Sequence, residues 1–475
     1  MRKSIIFFIS LLSLVACKKD LSTLNVETKR PAAVPAPTLF SYATKQLSDV
    51  LTSASVNTNV FRFTVSHWAM SVYQDEAQYD FSTRNIPQGW WTIMYRNVLQ
   101  NLKQSSDLIK ADATLVAGEK ANKLAILDIM QVYAFSVLVN SFGNVPYSEA
   151  LDQTKMFPKY DDAKTISLDL IKRLNNDISQ LNASSAAFKS SEDLIYRGNV
   201  DKWIKFGNTL RMKLGIILAD VDNETAKAAV EASAAAAISS PADNGSFTYL
   251  AAAPSQSPLY VDIVTGGRAD YVAANDLMSK LTALSDPRKS QFFGTSNAGI
   301  YAGGVVGKVN TYADFSKPSA KVYAPDATTL LADYVEAEFY RAEAVERGYA
   351  VAGTAESHYN NAITASIIYW GGTAADAAAY LEQPAVAYST ASGTWREKIG
   401  TQKWIALYNR PYDGWTELRR LDFPKITAPV GAKSNFPTRF PYPNNEQQLN
   451  GASYTAAAAA IGGDKVDVKL FWDKF

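Results

Sequence analysis

WREKIGTQKWIALYNRPYDGWTELRRLDFP, residues 395–424, is the stretch on which the fold turns. Its first half spaces Ile399, Trp404, Leu407 and Tyr408 for burial on one helical face and leaves Lys398, Gln402 and Lys403 for water. Pro411, which lacks a backbone N–H, interrupts the ladder. Asp413-Gly414 is a turn signal. Trp415, Leu418 and Leu421 then resume helical spacing until Pro424. Trp404 and Trp415 are expected in the core, with Arg419 and Arg420 paired to acids such as Glu417 or Asp422. The stretch would thereby lock the last helices onto a hairpin at 329–370.

That hairpin begins with a helix predicted over Thr329–Gly348. Glu338–Arg341 and Glu343–Arg347 pair on its wet face, Ala337, Ala342 and Ala344 let a second helix come close, and Gly348 supplies a left-handed stop. The second helix opens at Gly353-Thr354 and carries Ala355, Tyr359, Ala362, Ile363, Ile367 and Trp370. A Gly–Ala–Tyr–Ala-Ile spacing of this kind belongs to the tetratricopeptide hairpin, where small residues sit at the crossing and Tyr fills the gap. Only one unit is convincing, so the repeat is irregular. Further helices are predicted over 38–54, 91–110, 120–139 (apolar nearly all round, hence buried and central), 161–181 with Asp161 and Asp162 at its N-cap, 199–219 and 224–238. From Ser239 to Ser319 Pro, Gly, Ser and Tyr dominate, and only Tyr271–Leu284 has helical character. A Pro-rich strap, FPTRFPYPNNEQQLN, follows at 436–450. The fold class is mainly α: an irregular tetratricopeptide-like helical-repeat body with a loop-rich half.

The chain has 475 residues, 47% hydrophobic and 20% charged, an ordinary globular composition. Arg2-Lys3, the apolar run Ile5–Val15 and Leu14-Val15-Ala16-Cys17 read as a lipoprotein leader with its lipobox, too short to span a bilayer. Cys17 is the only cysteine, so no disulfide forms within one copy. Removing residues 1–16 takes the basic count from 47 to 45 against 46 acids, a net charge of −1 rather than +1. Such balance offers no concentrated basic surface for nucleic acid. Lys18–Pro37 reads as a tether, and no later stretch reaches ~18 uninterrupted apolar residues. The expected organisation is a signal peptide at 1–16, a lipidated tether at 17–37 and one domain at 38–475 with a loop-rich insertion at about 239–319. Only lipid holds it to a membrane.

The histidines, His67 and His358, lie far apart and read as ordinary polar or helix-surface residues. HExxH, GxSxG and a second Cys are all absent from the sequence. GGVVGKV at 303–309 fails as a phosphate loop, with Ala302 for the first Gly and Val309 for the Ser/Thr. Neither a metal nor a cofactor is expected. Asp75-Glu76 is the one carboxylate pair in an aromatic-rich loop and carries the glycosidase alternative, yet adjacent side chains diverge and a second acid must come from elsewhere. Non-catalytic binding of a sugar needs flat rings and polar groups of fixed direction. Two loop regions supply both: Tyr73, Asp75, Tyr79, Arg84 and Trp90, and then Tyr260, Arg268, Asp270, Tyr301 and Tyr312. Core packing competes for every ring, most for Trp68, Trp90 and Trp91 and least for Tyr301 among its glycines.

The lipobox, FGNVPYSEAL at 142–151, AEAVERG at 342–348, the 395–424 stretch, FPTRFPYPNNE at 436–446 and LFWDK at 470–474 occur in one order. Together they resemble the SusD/RagB family of nutrient-binding lipoproteins, in its smaller SusD-like branch. The resemblance implies a body of four tetratricopeptide-like hairpins and a ligand face drawn from an early loop and the mid-chain insertion. It further implies an outer-membrane location facing the exterior and a SusC-type TonB-dependent transporter over which the lipoprotein closes as a lid. The expected ligand is an oligosaccharide, with a peptide as the alternative within the family and a ligand-free helical scaffold as the alternative outside it. One departure is that Lys18-Lys19-Asp20 holds a single acid where surface-exported members often carry an acidic run.

Overall fold

The computed structural model describes residues 34–475, so the leader and Cys17 lie outside the described residues. Helix α1 (Ala36–Thr52) turns Phe40, Ala43, Leu47 and Val50 inward. It packs on α2, which runs through Ile86–Thr92, a wider π-type segment Ile93–Leu99 and Gln100–Ala111. Helix α3 (Ala117–Phe142) is long and apolar enough to cross a membrane by composition, but most of it is buried inside the protein. It pairs with α4 (Ala163–Gln180). Asp162 caps α4 through the Thr165 amide at 2.8 Å, whereas Asp161 accepts from the amides of Tyr147 and Ser148. Helices α5 (Val200–Leu218) and α6 (Asn223–Ser233) follow, then the short α7 (Asn275–Ala283). Helix α8 (Tyr334–Glu346) packs antiparallel on α9 (Ala355–Tyr369), followed by α10 (Ala374–Leu381), α11 (Trp395–Ala406) and α12 (Pro411–Leu421). The pairs α1–α2, α3–α4, α5–α6 and α8–α9 make the body an irregular array of helical hairpins.

Three two-stranded antiparallel ribbons tie this body together: β1 (Trp68–Met70) with β5 (Tyr271–Ala273), β2 (Val145–Pro146) with β3 (Tyr160–Asp161), and β4 (Gly245–Thr248) with β6 (Thr328–Ala332). Two of them correct the sequence expectation. Tyr271–Ala273 is strand, so the helix expected over Tyr271–Leu284 keeps only Asn275–Ala283. Thr328–Ala332, expected to open the 329–348 helix, is likewise strand. Its β-branched residues pair with Gly245–Thr248, and α8 begins only after Asp333 caps the Glu336 amide at 2.9 Å.

The 395–424 stretch is core, though built differently from its hydrophobic pattern. Pro411 opens α12 at its first position, where the missing N–H costs nothing, and Asp413-Gly414 lies inside that helix rather than in a turn. Lys403 and Gln402, expected in water, are buried. Charge satisfies charge instead: Lys213 reaches Asp413 at 2.6 Å and Glu336 at 3.0 Å, Arg410 reaches Glu336 at 2.6 Å and Asp333 at 3.0 Å, and Lys403 reaches Glu417 at 3.1 Å. The Glu338–Arg341 and Glu343–Arg347 pairs form, but on a buried face. Arg420 pairs with Glu417 and Glu343. Arg419 takes no carboxylate: it donates to the carbonyls of Asn140 at 2.9 Å and Thr438 at 2.8 Å, with its guanidinium 3.5 Å from the centre of the Trp415 ring. Asp422 pairs with Lys425. Trp404 and Trp415 are buried as expected and donate to the carbonyls of Val65 and Pro437.

Candidate functional site

The two loop regions singled out in the sequence meet through the β1–β5 ribbon. Past its last pair, Met70↔Tyr271, the Ser71 amide donates to the Asp270 carbonyl at 2.8 Å and Ser71 Oγ to the Ala269 carbonyl at 2.7 Å. Tyr73 and Arg268 therefore emerge at the same end of one ribbon. The buried Asn310 side chain closes the arrangement. Its Nδ2 donates to the carbonyls of Met70 at 2.8 Å, Lys308 at 2.9 Å and Val305 at 3.0 Å, while its Oδ1 accepts from the Val305 amide at 2.9 Å. Gln78 bridges from the early loop to the Gly307 carbonyl at 2.9 Å. At Gly307, where φ is 83°, a Cβ would sit 2.3 Å from the Val430 carbonyl oxygen. Only glycine lets that third segment close against the insertion.

Of the early set, Tyr73 is 61% exposed in a left-handed conformation, and Asp75 is exposed. Arg84, also exposed, pairs with the buried Glu76 carboxylate, so that acid neutralises an arginine beside Asp75. Two members leave the ligand face. Tyr79 is 4% exposed, its ring edge-on to Phe436, and burial pushes its hydroxyl pKa up. Trp90 is buried, 5.1 Å from the Phe61 ring and 5.5 Å from that of Tyr412, because α2 turns it into the core.

The later set stays at the surface. Tyr260 is half-buried in the helical turn Pro258–Tyr260. Arg268 is exposed and pairs with Asp262 and Asp270, each at 3.3 Å. Tyr301 and Tyr312 are half-buried and carry ammonium groups beside their rings: Lys289 Nζ lies 5.1 Å from the Tyr301 centroid and Lys317 Nζ 5.0 Å from that of Tyr312. Burial, then Tyr323 and Asp270, raise the Tyr312 hydroxyl pKa. Lys317 also donates to Asn297 Oδ1 at 3.0 Å. Flat rings with one side partly covered, ringed by acids, cations and an amide, can stack a pyranose and direct its hydroxyls.

Lys289, Lys317, Tyr323 and Asn310 were missing from the sequence expectation. Nothing in the spacing marks them: Lys317 acts on Tyr312 within one loop, Lys289 reaches Tyr301 from the helical turn before it, and Asn310 joins its own loop to Met70. His67 is no surface residue: it is buried, its Nε2 lies 3.1 Å from the Trp404 carbonyl, and burial drives its pKa down to about 3. Among the described residues no three His, Cys, Asp or Glu side chains are grouped to hold a metal ion. A cavity of about 340 Å³ beside α12, lined by Arg419, Asp473 and Phe475, takes no lining residue from either loop.

Residues 28–443 match the SusD-like family described as "Starch-binding associating with outer membrane", and the chain belongs to that family. No curated protein matches it in sequence. Among solved structures, a chitin-binding protein superposes with a TM-score of 0.77 at 24% identity, covering 93% of this chain and 100% of that one. A chitin-binding SusD homologue from Flavobacterium johnsoniae does so with a TM-score of 0.77 at 20% identity, covering 92% and 99%. A SusD homologue from Bacteroides uniformis gives 0.76 at 24% identity, again covering 92% and 99%. At these identities the likeness is one of fold.

Proposed function

We propose that this SusD-like chain is a non-enzymatic outer-membrane protein that captures an oligosaccharide on its loop face and passes it to a SusC-type TonB-dependent transporter. The observation that carries the proposal is the junction of the two loops at the β1–β5 ribbon, where Tyr73, Tyr301 and Tyr312 stay accessible among Asp75, Arg268, Asp270, Lys289 and Lys317. The family description and the chitin-binding neighbours support a glycan as the ligand. Exposed Val72, Val305, Val309 and Val430 give the same region the apolar surface that a partner protein would cover. Cys17 would carry the lipid after loss of residues 1–16, the tether to residue 37 would give reach, and residues 38–475 would act as one binding domain. High local concentration at the membrane makes modest affinity sufficient.

Calorimetry with maltoheptaose and chitohexaose tests the ligand. At least one should bind, and Tyr312→Ala or Tyr301→Ala should weaken it about fivefold, the worth of roughly 1 kcal/mol of stacking. Binding of neither glycan, together with binding from a peptide library, would replace the oligosaccharide by a peptide. Intact-mass measurement of the membrane-extracted protein tests the lipid on Cys17.

A further inference from the structure

Between the start of α5, the β4–β6 ribbon and the end of α9 lies a cleft of about 610 Å³ that shares no residue with the loop face. Its wall carries three cations, Arg197, Lys202 and Lys321, against one carboxylate, Asp326. At the α8–α12 seam Lys213, Arg410 and Arg420 are each matched by carboxylates. In the cleft the cations rest on neutral oxygens: Lys202 Nζ donates to the Ala242 carbonyl at 2.7 Å, Lys321 Nζ to the Trp370 carbonyl at 2.6 Å and Arg197 Nη1 to the Ser190 carbonyl at 3.3 Å. Among the described residues none of the three has a carboxylate partner within 4.0 Å. Carbonyl contacts orient a cation without neutralising it, so the cleft keeps its positive potential.

The floor adds to it. Asn409 accepts from Arg62 Nη2 at 2.8 Å, and Arg62 is a buried guanidinium whose other partner is the Ser53 carbonyl. Burial lowers its pKa to about 10, which leaves it charged at neutral pH. The same cleft offers a flat face: Tyr369 is exposed and stands edge-on to Trp370 with ring centres 5.6 Å apart. An aromatic platform beside unneutralised cations fits a sugar ring bearing an anionic group.

We propose that this cleft is a second binding site, selective for acidic saccharides whose carboxylate or sulfate groups meet Lys321, Lys202 and Arg197 while a ring lies on Tyr369. It rests on the carbohydrate part of the proposed function and not on the loop face. The probes are tetragalacturonate, a heparin tetrasaccharide, neutral maltotetraose and inorganic sulfate, titrated into the whole chain. At least one acidic tetrasaccharide should bind more tightly than maltotetraose, and its affinity should fall as salt rises from about 50 to about 500 mM. Arg197→Ala and Lys321→Ala, both at surface positions, should each weaken it about two- to fivefold. Lys321→Arg should restore most of the loss, and Tyr312→Ala should leave it unchanged. Failure of both acidic probes to bind, affinity indifferent to the cleft variants, or sulfate competing as well as the tetrasaccharides would overturn the site. A neutral glycan still bound through Tyr312 in that event would leave the loop-face function standing.

Discussion

Arg420 grips Glu343 with both terminal nitrogens, Nη1 to Oε1 at 2.5 Å and Nη2 to Oε2 at 2.6 Å, and neither side chain is more than 1% exposed. The pair joins α12 to α8 in the interior, and Arg347 adds a second cation to the same carboxylate at 2.8 Å.

Glu343→Ala should therefore cost roughly 3–5 kcal/mol, because it removes a buried carboxylate shared by two guanidinium groups and leaves Arg420 to Glu417 alone and Arg347 to Asp220. Chemical denaturation reads the loss. Acid acts on the same bond. Burial opposes the charge on Glu343, but Arg420 and Arg347 outweigh it and hold its pKa at about 2 against an ordinary 4.5. Its contribution is complete above pH 4.5 and disappears as pH falls from there toward 2. A Glu343→Ala chain whose stability still fell as steeply as the parent's through that window would refute the assignment.

Asp177 has the opposite sign. Burial pushes its carboxyl pKa up, and the neighbouring Asp128 pushes it further. The folded chain holds this proton above pH 3.8, where the unfolded chain releases it, so the group costs stability increasingly as pH rises. Asp177→Asn should be more stable than the parent at pH 7, with the gap closing toward pH 4. Parallel melting curves across that range would count against it.

Asn310→Ala should loosen the loop face locally. It removes partners from three carbonyls and one amide, each worth about 1–3 kcal/mol when buried and unmet, less whatever water recovers. Hydrogen exchange should quicken at the Val305 amide and leave α3 protected.

Tyr73→Ala and Trp90→Ala separate ligand face from core. The exposed Tyr73 should change stability by less than about 0.5 kcal/mol and weaken glycan binding. Trp90→Ala should cost about 3–5 kcal/mol. Unchanged affinity in Tyr73→Ala for every glycan bound would take that ring out of the site.

The helices were legible because their apolar residues recur at helical spacing: 163–180 and 355–369 announce themselves, the first with Asp162 as one of its two candidate caps. Trp404 and Trp415 were legible as core for the same reason. Buried charge was not. Lys403 and Glu343 look wet in any periodic pattern, since their partners come from other helices. The strand at 328–332 was hidden too, because five residues establish no period and the mate, 245–248, lies far back in the chain. In the loops, composition singled out the regions and leaned toward core for Trp90, but could not separate Tyr73 from Tyr79, which is covered by Phe436 from a distant segment. The cleft at Lys321 and Arg197 draws on five separate stretches and had no sequence signal at all.

The β1–β5 ribbon also has a consequence in time. Met70 cannot find its pair until residue 271 has been made, and the Phe61 ring waits still longer for Trp415, on which it stacks at 4.7 Å. Contacts spanning so much of the chain close slowly and only near completion. The surface assigned here to the ligand is thus among the last parts of the molecule to exist, and a chain cut short before α12 would leave its early aromatics without a home.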